Sequence, residues 1–266
     1  MIFDTHCHLN FEVFNNQEES VISRARKAGI NYFLIPGSDL PTSQKALNLA
    51  KKNQNVFASA GIHPHHAQDQ VDIKKLESLI KMLKVCAVGE IGLDYHQYPK
   101  TKHENYQINS QFKEDQKILF IKQIKLAQKY QKSIIFHNRE AKEDLLTILK
   151  IYWNEGLKNR TVLHCCEPDE ELLAFAKKNH IFIGVDGDVT CWNKKARFIK
   201  KVPLEMLVLE TDSPYLTPEP IKKEKSFPNE PKNLILVARF IANLKNVPLE
   251  TLVSQTTVNA QKIFNL

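Results

Sequence analysis

Two histidines separated by one residue, His6 and His8, stand near the start of the chain with Cys7 between them. In an extended segment side chains alternate between faces, so both imidazoles point one way and Cys7 the other. That geometry lets one metal ion accept two ring nitrogens. A bare H-x-H arises often without a ligand role, so its weight depends on its company. Here the company is His63, Glu90, His137, His164 and Asp212. Imidazole suits Zn²⁺ or Mn²⁺ and carboxylate suits Mg²⁺ or Mn²⁺, so the mixture does not select one ion. His6, His8, Glu90, His137, His164 and Asp212 together exceed the three or so protein ligands of a catalytic zinc. Two ions sharing a bridging carboxylate would use the surplus, and a pair about 3.5–4 Å apart suits phosphoryl chemistry. Cys165 and Cys166 adjoin His164, but small buried apolar residues are the simpler reading of that pair.

What positions these residues is a regular alternation of short β-rich runs and longer amphipathic segments. The expected strands are Ile2–Thr5, Asn31–Ile35, Val56–Ala60, Val85–Gly89, Ser133–Phe136, Thr161–His164, Ile181–Gly184 and Met206–Glu210. Continuous apolar runs of this kind suit parallel strands buried on both faces. Between them lie helical patterns, clearest over Glu114–Gln131, where Phe120, Ile124 and Ala127 recur at helical spacing. Eight such units across 266 residues point to α/β architecture, a single (β/α)₈ TIM barrel over residues 1–266. A doubly wound open sheet is the competing layout. In the barrel every candidate ligand falls at or just past the C-terminal end of a strand, the face where barrel enzymes keep their sites.

Composition narrows the class without choosing the function. Apolar residues at 42% and charged residues at 25% are ordinary globular values, which exclude a disordered tail protein or a coiled coil. No apolar run reaches the roughly 18–20 residues needed to span a bilayer. Met1–His6 shows no basic leader ahead of a hydrophobic segment, and five irregularly spaced cysteines argue against a disulfide framework. A reducing compartment, the cytoplasm, is therefore expected. The net charge of +7 favours anionic partners. Two polar segments, Tyr95–Gln111 and Ser213–Pro231, read as long loops, the second carrying Lys222, Lys223 and Lys225. Lys122, Lys125, Lys129 and Lys132 fall on one face of the helix after the fourth strand, where a solvated charged face is the simpler reading than a nucleic-acid stripe.

With these residues assembled, the chain resembles the TatD family of metal-dependent deoxyribonucleases, amidohydrolase-like TIM barrels. The matching stretches are FDTHCHL at 3–9, GIHPHH at 61–66, GEIGLDY at 89–95, FHNREA at 136–141, LHC at 163–165, ETDSPYL at 210–216 and NEP at 229–231. The resemblance implies His6, His8 and Asp212 on one metal, His137 and His164 on a second, and Glu90 bridging them. It implies Asp212 as general base, and His63 and Arg139 as contacts to substrate phosphate. The chain departs from the family pattern at Cys166-Glu167-Pro168, at Pro228 and in a longer 95–115 segment.

The expected function is hydrolysis of phosphodiester bonds at the end of a DNA strand, as a 3′–5′ exonuclease. Its cofactors would be two divalent ions (Mg, Mn or Zn) and its substrate DNA, with RNA open; no membrane and no obligate protein partner are expected. One rival is another amidohydrolase-type enzyme acting on a lactone, cyclic amide or phosphotriester. Binuclear relatives of that kind often bridge their metals with a carboxylated lysine at the end of strand four, where this chain has Glu90. The other rival is a nucleic-acid-binding protein with a structural metal. Such sites are closed and rich in cysteine, unlike this set.

Overall fold

The apolar runs form strands, and each strand hands the chain to a helix that covers its outer face. A computed structural model describes residues 1–98, 107–224 and 227–266. The strands are β1 (Ile2–Asp4), β2 (Ile30–Ile35), β3 (Val56–Ala60), β4 (Val85–Asp94), β5 (Ser133–Arg139), β6 (Thr161–Leu163), β7 (Phe182–Val185) and β8 (Leu207–Leu209). They lie parallel in the order β1 to β8. The covering helices are α1 (Glu18–Lys27), α2 (Leu40–Lys52), α3 (Ile73–Ile80), α4 (Ser110–Lys129), α5 (Lys142–Tyr152), α6 (Glu170–Asn179), α7 (Asn193–Lys201), α8 (Leu234–Lys245) and α9 (Leu249–Phe264). This is the TIM barrel read from the sequence.

The ends of the sheet meet through the segments that follow β1 and β8. Thr5 N donates to Leu209 O at 3.0 Å, Asp212 N to His6 O at 2.9 Å and His8 N to Ser213 O at 2.7 Å. Cys7 and Ser213 form a parallel bridge. Asp4, fully buried, adds a side-chain clasp by accepting from Thr211 N at 3.0 Å and from the Thr211 hydroxyl at 2.6 Å.

Two strands run further than their apolar residues suggest. β4 continues past Gly89 to Asp94 and β5 past Phe136 to Arg139, because their ladder persists through Gly92↔His137 and Asp94↔Arg139 after a register shift between Val88 and Ile91. Glu90, His137 and Arg139 are therefore strand residues, not loop residues. Gly92 makes this pairing possible: its φ is +150°, and a Cβ there would fall on the His137 carbonyl oxygen. Helix α4 begins at Ser110, ahead of the expected Glu114, because the Asn109 side chain accepts from Phe112 N at 2.9 Å and caps it. Ser110 and Gln111 thus leave the loop assigned to Tyr95–Gln111, and part of that loop lies outside the described residues. The Ser213–Pro231 segment contains a 3₁₀ turn at Ile221–Glu224, and Lys225 lies outside the described residues.

Side-chain alternation divides the strands between two apolar layers. One set packs outward against the helices. The other, Phe3, Leu34, Ala87, Ile135, Val162, Phe182 and Val208, forms a separate cluster with Ala260, Ile263 and Phe264 of α9. Phe3 and Phe264 have ring centroids 6.0 Å apart. These residues floor the barrel, and stepping two residues along a strand turns apolar floor into polar site: Ile135 leads to His137, Val162 to His164, and Val208 to Glu210 and Asp212. Phe264→Ala should therefore lower unfolding free energy by about 3 kcal/mol in a denaturant titration, the cost of a buried aromatic truncation. A change within about 0.5 kcal/mol, the range of ordinary surface substitutions, would show that α9 is not part of the floor.

Candidate metal centre

Glu90 sits on β4 with its two carboxylate oxygens facing different sets of imidazoles. Oε2 lies 3.4 Å from His6 Nε2 and 3.7 Å from His8 Nε2. Oε1 lies 2.8 Å from His137 Nδ1, 3.7 Å from His63 Nε2 and 3.8 Å from His164 Nε2. Asp212, in the left-handed region at φ 50°, turns its Oδ1 to within 3.8 Å of His6 Nε2, 3.4 Å of His8 Nε2 and 3.7 Å of His164 Nε2. The six ligands expected from the sequence are thus brought together, and His63 joins them. His164 stands closer to the His6 side than the family pattern implies: its ring stacks on His6 with centroids 3.5 Å apart, against 6.4 Å to His137.

The donor chemistry fits a cation. His6 Nε2 and His8 Nε2 face each other at 3.1 Å, with the Asp212 and Glu90 oxygens turned toward the same space. Lone pairs that converge without enough protons to join them are the arrangement a cation resolves. Neighbouring ligand atoms around a tetrahedral ion with about 2.05 Å bonds stand about 3.3 Å apart, which matches these spacings. Burial pushes His6, His63 and His164 below the usual histidine range and His8 to about 4, leaving all four in the neutral form that binds metals. Burial would raise Glu90, but the imidazoles of His63, His6 and His137 outweigh it and hold its carboxyl well below the usual range. Asp212 is raised by burial to about 6. His137 is the exception among the imidazoles. Burial works to lower it, yet its contacts with Asp94 and Glu90 prevail and raise it to about 10.

Several residues that sequence reasoning passed over hold the ligands in place. Asp94 Oδ2 lies 3.1 Å from His137 Nε2 and 3.0 Å from His65 Nε2, and accepts from the Tyr98 hydroxyl at 3.0 Å. His63, His65 and Asp94 form a further group of close donor atoms on this outer side. Glu210 Oε1 lies 3.0 Å from His164 Nδ1 and accepts from Cys165 N at 2.6 Å. A carboxylate bonded behind an imidazole, as Asp94 is to His137, fixes the ring's orientation and tautomer, whereas Glu210 lies close to His164 without a hydrogen bond to its Nδ1. The signal for Asp94 and Glu210 was present: each lies two or four residues from a ligand along one strand face. Asn229 donates to Tyr215 O at 2.7 Å and Thr211 O at 3.3 Å, and Glu230 pairs with Arg24 at 2.9 Å, so the NEP stretch secures the turn after β8.

Arg139 stands outside the ligand cluster. Its Nη1 donates to Tyr98 Oη at 2.9 Å, so it joins His137 through Tyr98 and Asp94. Two lysines of the α4 face have partners within the chain: Lys129 pairs with Glu77 at 2.7 Å and Lys125 lies 5.5 Å from the centre of the Tyr152 ring. Lys132 lies beyond the helix and bonds backbone carbonyls of Met82 and Val85. Lys222 is 3.1 Å from Asp188. Cys165 and Cys166 carry thiols pushed up by burial, and all five cysteines are free. No helix among the described residues is long and apolar enough to cross a membrane.

A family model described as TatD related DNase matches residues 3–265. YabD of Bacillus subtilis strain 168, named an uncharacterized metal-dependent hydrolase, is 35% identical over 270 residues, covering 100% of both chains. The 3′-5′ ssDNA/RNA exonuclease TatD of Erwinia tasmaniensis is 32% identical over 273 residues, again 100% of each. The crystal structure of YjjV, a TatD homologue from Escherichia coli K12, matches with a TM-score of 0.87 at 29% identity over 100% of this chain and 98% of that one.

Two outcomes follow from the geometry around His137. Asp94→Asn should weaken divalent-metal binding about 10–100-fold in a calorimetric titration, the usual effect of losing a carboxylate behind a ligating imidazole. Metal affinity should also rise with pH between 6.5 and 8, by up to about tenfold per unit, because His137 titrates near 10 and must shed a proton before Nδ1 can ligate. Affinity that stays flat over that range would remove His137 from the ligand set.

Proposed function

Since the chain belongs to the TatD-related DNase family, we propose that it hydrolyses phosphodiester bonds of DNA, working from the 3′ end, with two divalent ions (Mg, Mn or Zn) at the centre. It is a metal-dependent hydrolase of that family, and the finer reading rests on one observation: Glu90 turns one oxygen toward His6 and His8 and the other toward His137, His164 and His63. A carboxylate so placed can serve two ions at once. His6, His8 and Asp212 would hold one, His137 and His164 the other, with Glu90 shared. When bound, the ions supply Lewis acidity that acidifies water near neutral pH and offsets charge on phosphate oxygens.

The chain's own groups do the rest. Asp212 is the most open of the carboxylates here, at 16% side-chain exposure against 5% for Glu90, and receives the attacking water's proton. His63, a neutral imidazole facing the shared carboxylate, orients the phosphate. Arg139, braced by Tyr98, offers a planar fork suited to paired oxygens. The buried walls exclude bulk water, which strengthens each of these interactions. Residues 1–266 act as one barrel domain in the cytoplasm, on DNA and on RNA where its 3′ end fits, with no obligate protein partner. Glu90 in place of a carboxylated lysine favours the phosphodiester over amide or lactone substrates, and the exposed edge of Asp212 and His63 argues against a closed structural site.

The decisive assay incubates the protein with 5′-labelled single- and double-stranded DNA and RNA, with Mg²⁺, Mn²⁺ or Zn²⁺ in turn. A metal-dependent ladder shortened from the 3′ end is expected, with kcat reduced at least about 10²-fold in Asp212→Asn. Glu90→Ala should abolish it. Absence of product with every metal, or full activity in either variant, would sink the reading.

A further inference from the structure

Just outside Asp212 the chain holds aromatic rings where solvent should discourage them. Tyr215 is 51% exposed and Phe227 63% exposed. They share a cleft of about 430 Å³ with Pro214, Leu216, Thr217 and the Lys222–Asp188 ion pair, within the range of about 300–1,000 Å³ common to small-ligand sites. The backbone beneath Tyr215 is fixed. Tyr215 N donates to Asp212 O at 2.9 Å, and the buried Asn229 side chain donates to Tyr215 O at 2.7 Å. The exposure of Tyr215 is therefore built in by a braced turn.

The rings also form a series that begins at the metal centre. Phe11 stacks on His8 with centroids 4.2 Å apart and planes 22° from parallel. Tyr215 stands edge-on to Phe11 at 6.4 Å. Beyond Tyr215 the cleft opens, with Phe227 on its wall and the Lys222 ammonium at its side, 3.1 Å from Asp188. Flat apolar ring faces are what a nucleobase requires: every base has a π-face, and stacking on aromatic side chains binds single strands without sequence preference. An aliphatic occupant would gain little from ring faces, and a folded protein surface would need a far larger apolar area than this cleft offers.

We propose that the Tyr215–Phe227 cleft, continued inward by Phe11, is a nucleobase-stacking subsite that grips a base flanking the phosphodiester at the metal centre. It rests on the phosphodiesterase reading above and specifies how a single strand is held. Tyr215 and Phe227 come from the Ser213–Pro231 loop and Phe11 from the segment after β1, so the three rings meet only in the fold.

The test is a cycle between base removal and ring removal. KM and kcat are measured on single-stranded oligonucleotides carrying one abasic residue, stepped along the positions nearest the 3′ end. An abasic residue at the position seated in the cleft should raise KM about tenfold for the unaltered protein. The same residue should change KM less than about twofold in Tyr215→Ala or Phe227→Ala, whose KM on intact strands is already raised. Tyr215→Phe and Phe227→Trp should restore the base dependence, since they keep a ring. Both positions are solvent-facing, and thermal melts confirm that the variants fold. An abasic penalty of equal size in protein and variants, or none at any position, overturns the subsite while leaving hydrolysis intact. Failure of the unaltered protein to cleave any strand with any metal overturns the phosphodiesterase reading and the subsite with it.

Discussion

The fold's central constraint is closure between its first and last strands. A parallel sheet of this kind has open edges at β1 and β8, and an unpaired edge buried under helices would leave backbone donors and acceptors without partners. The chain satisfies them past the strand ends, through Thr5 to Leu209, His6 to Asp212 and His8 to Ser213. Those linked residues include three of the proposed metal ligands. Closing the barrel and assembling one half of the centre are therefore the same set of hydrogen bonds. The Asp4–Thr211 clasp repeats the connection with side chains, in a place where every participating group is buried. Disturbing the seam would move His6, His8 and Asp212 together.

The other half of the centre depends on a different device. β4 and β5 stay paired beyond their apolar stretch, and the pairing carries Glu90, Asp94 and His137 into one file. Gly92 permits the close approach, and Asp94 gathers His137, His65 and Tyr98 on one carboxylate. Burying that carboxylate is costly in isolation. Several donors around it reverse the balance, holding Asp94 ionised and keeping the His137 ring aimed at Glu90. The GEIGLDY and ETDSPYL stretches are thus more than ligand carriers. Asp94 in the first stands against His137, and in the second Glu210 stands beside His164 and Thr211 clasps Asp4.

Much of this was legible in the sequence because two simple periodicities coincide. Apolar strand runs gave eight barrel units, and polar residues at the ends of the first, fourth, fifth, sixth and eighth gave the candidate ligands that the fold brings together. That His6 and His8 face one side was readable from alternation, and their weight as candidates came from the other strand-end residues. What escaped was structure that depends on neighbours. The extension of β4 and β5 comes from a register shift that no local pattern reports, so Glu90 and His137 were placed after strands that in fact contain them. Asp94 and Glu210 share a face with proposed ligands but carry no sign of what they stand beside until the imidazoles are in place. Arg139 illustrates the opposite limit: its position was anticipated, while its attachment to Tyr98 could come only from folding. The lysines of α4 read as a solvated charged face, and two of them have partners within the chain, Lys129 at Glu77 and Lys125 at the Tyr152 ring.

The floor formed by Phe3, Phe264 and their neighbours bears on traffic as well as stability. With that end sealed, the barrel is a blind well: a polymer cannot thread through it as through a ring-shaped enzyme. Whatever reaches the ligands enters by the rim of loops after the strands and retreats by the same route. The fold thus leaves admission to the centre to the loops after the strands, not to the strands that carry its donor atoms.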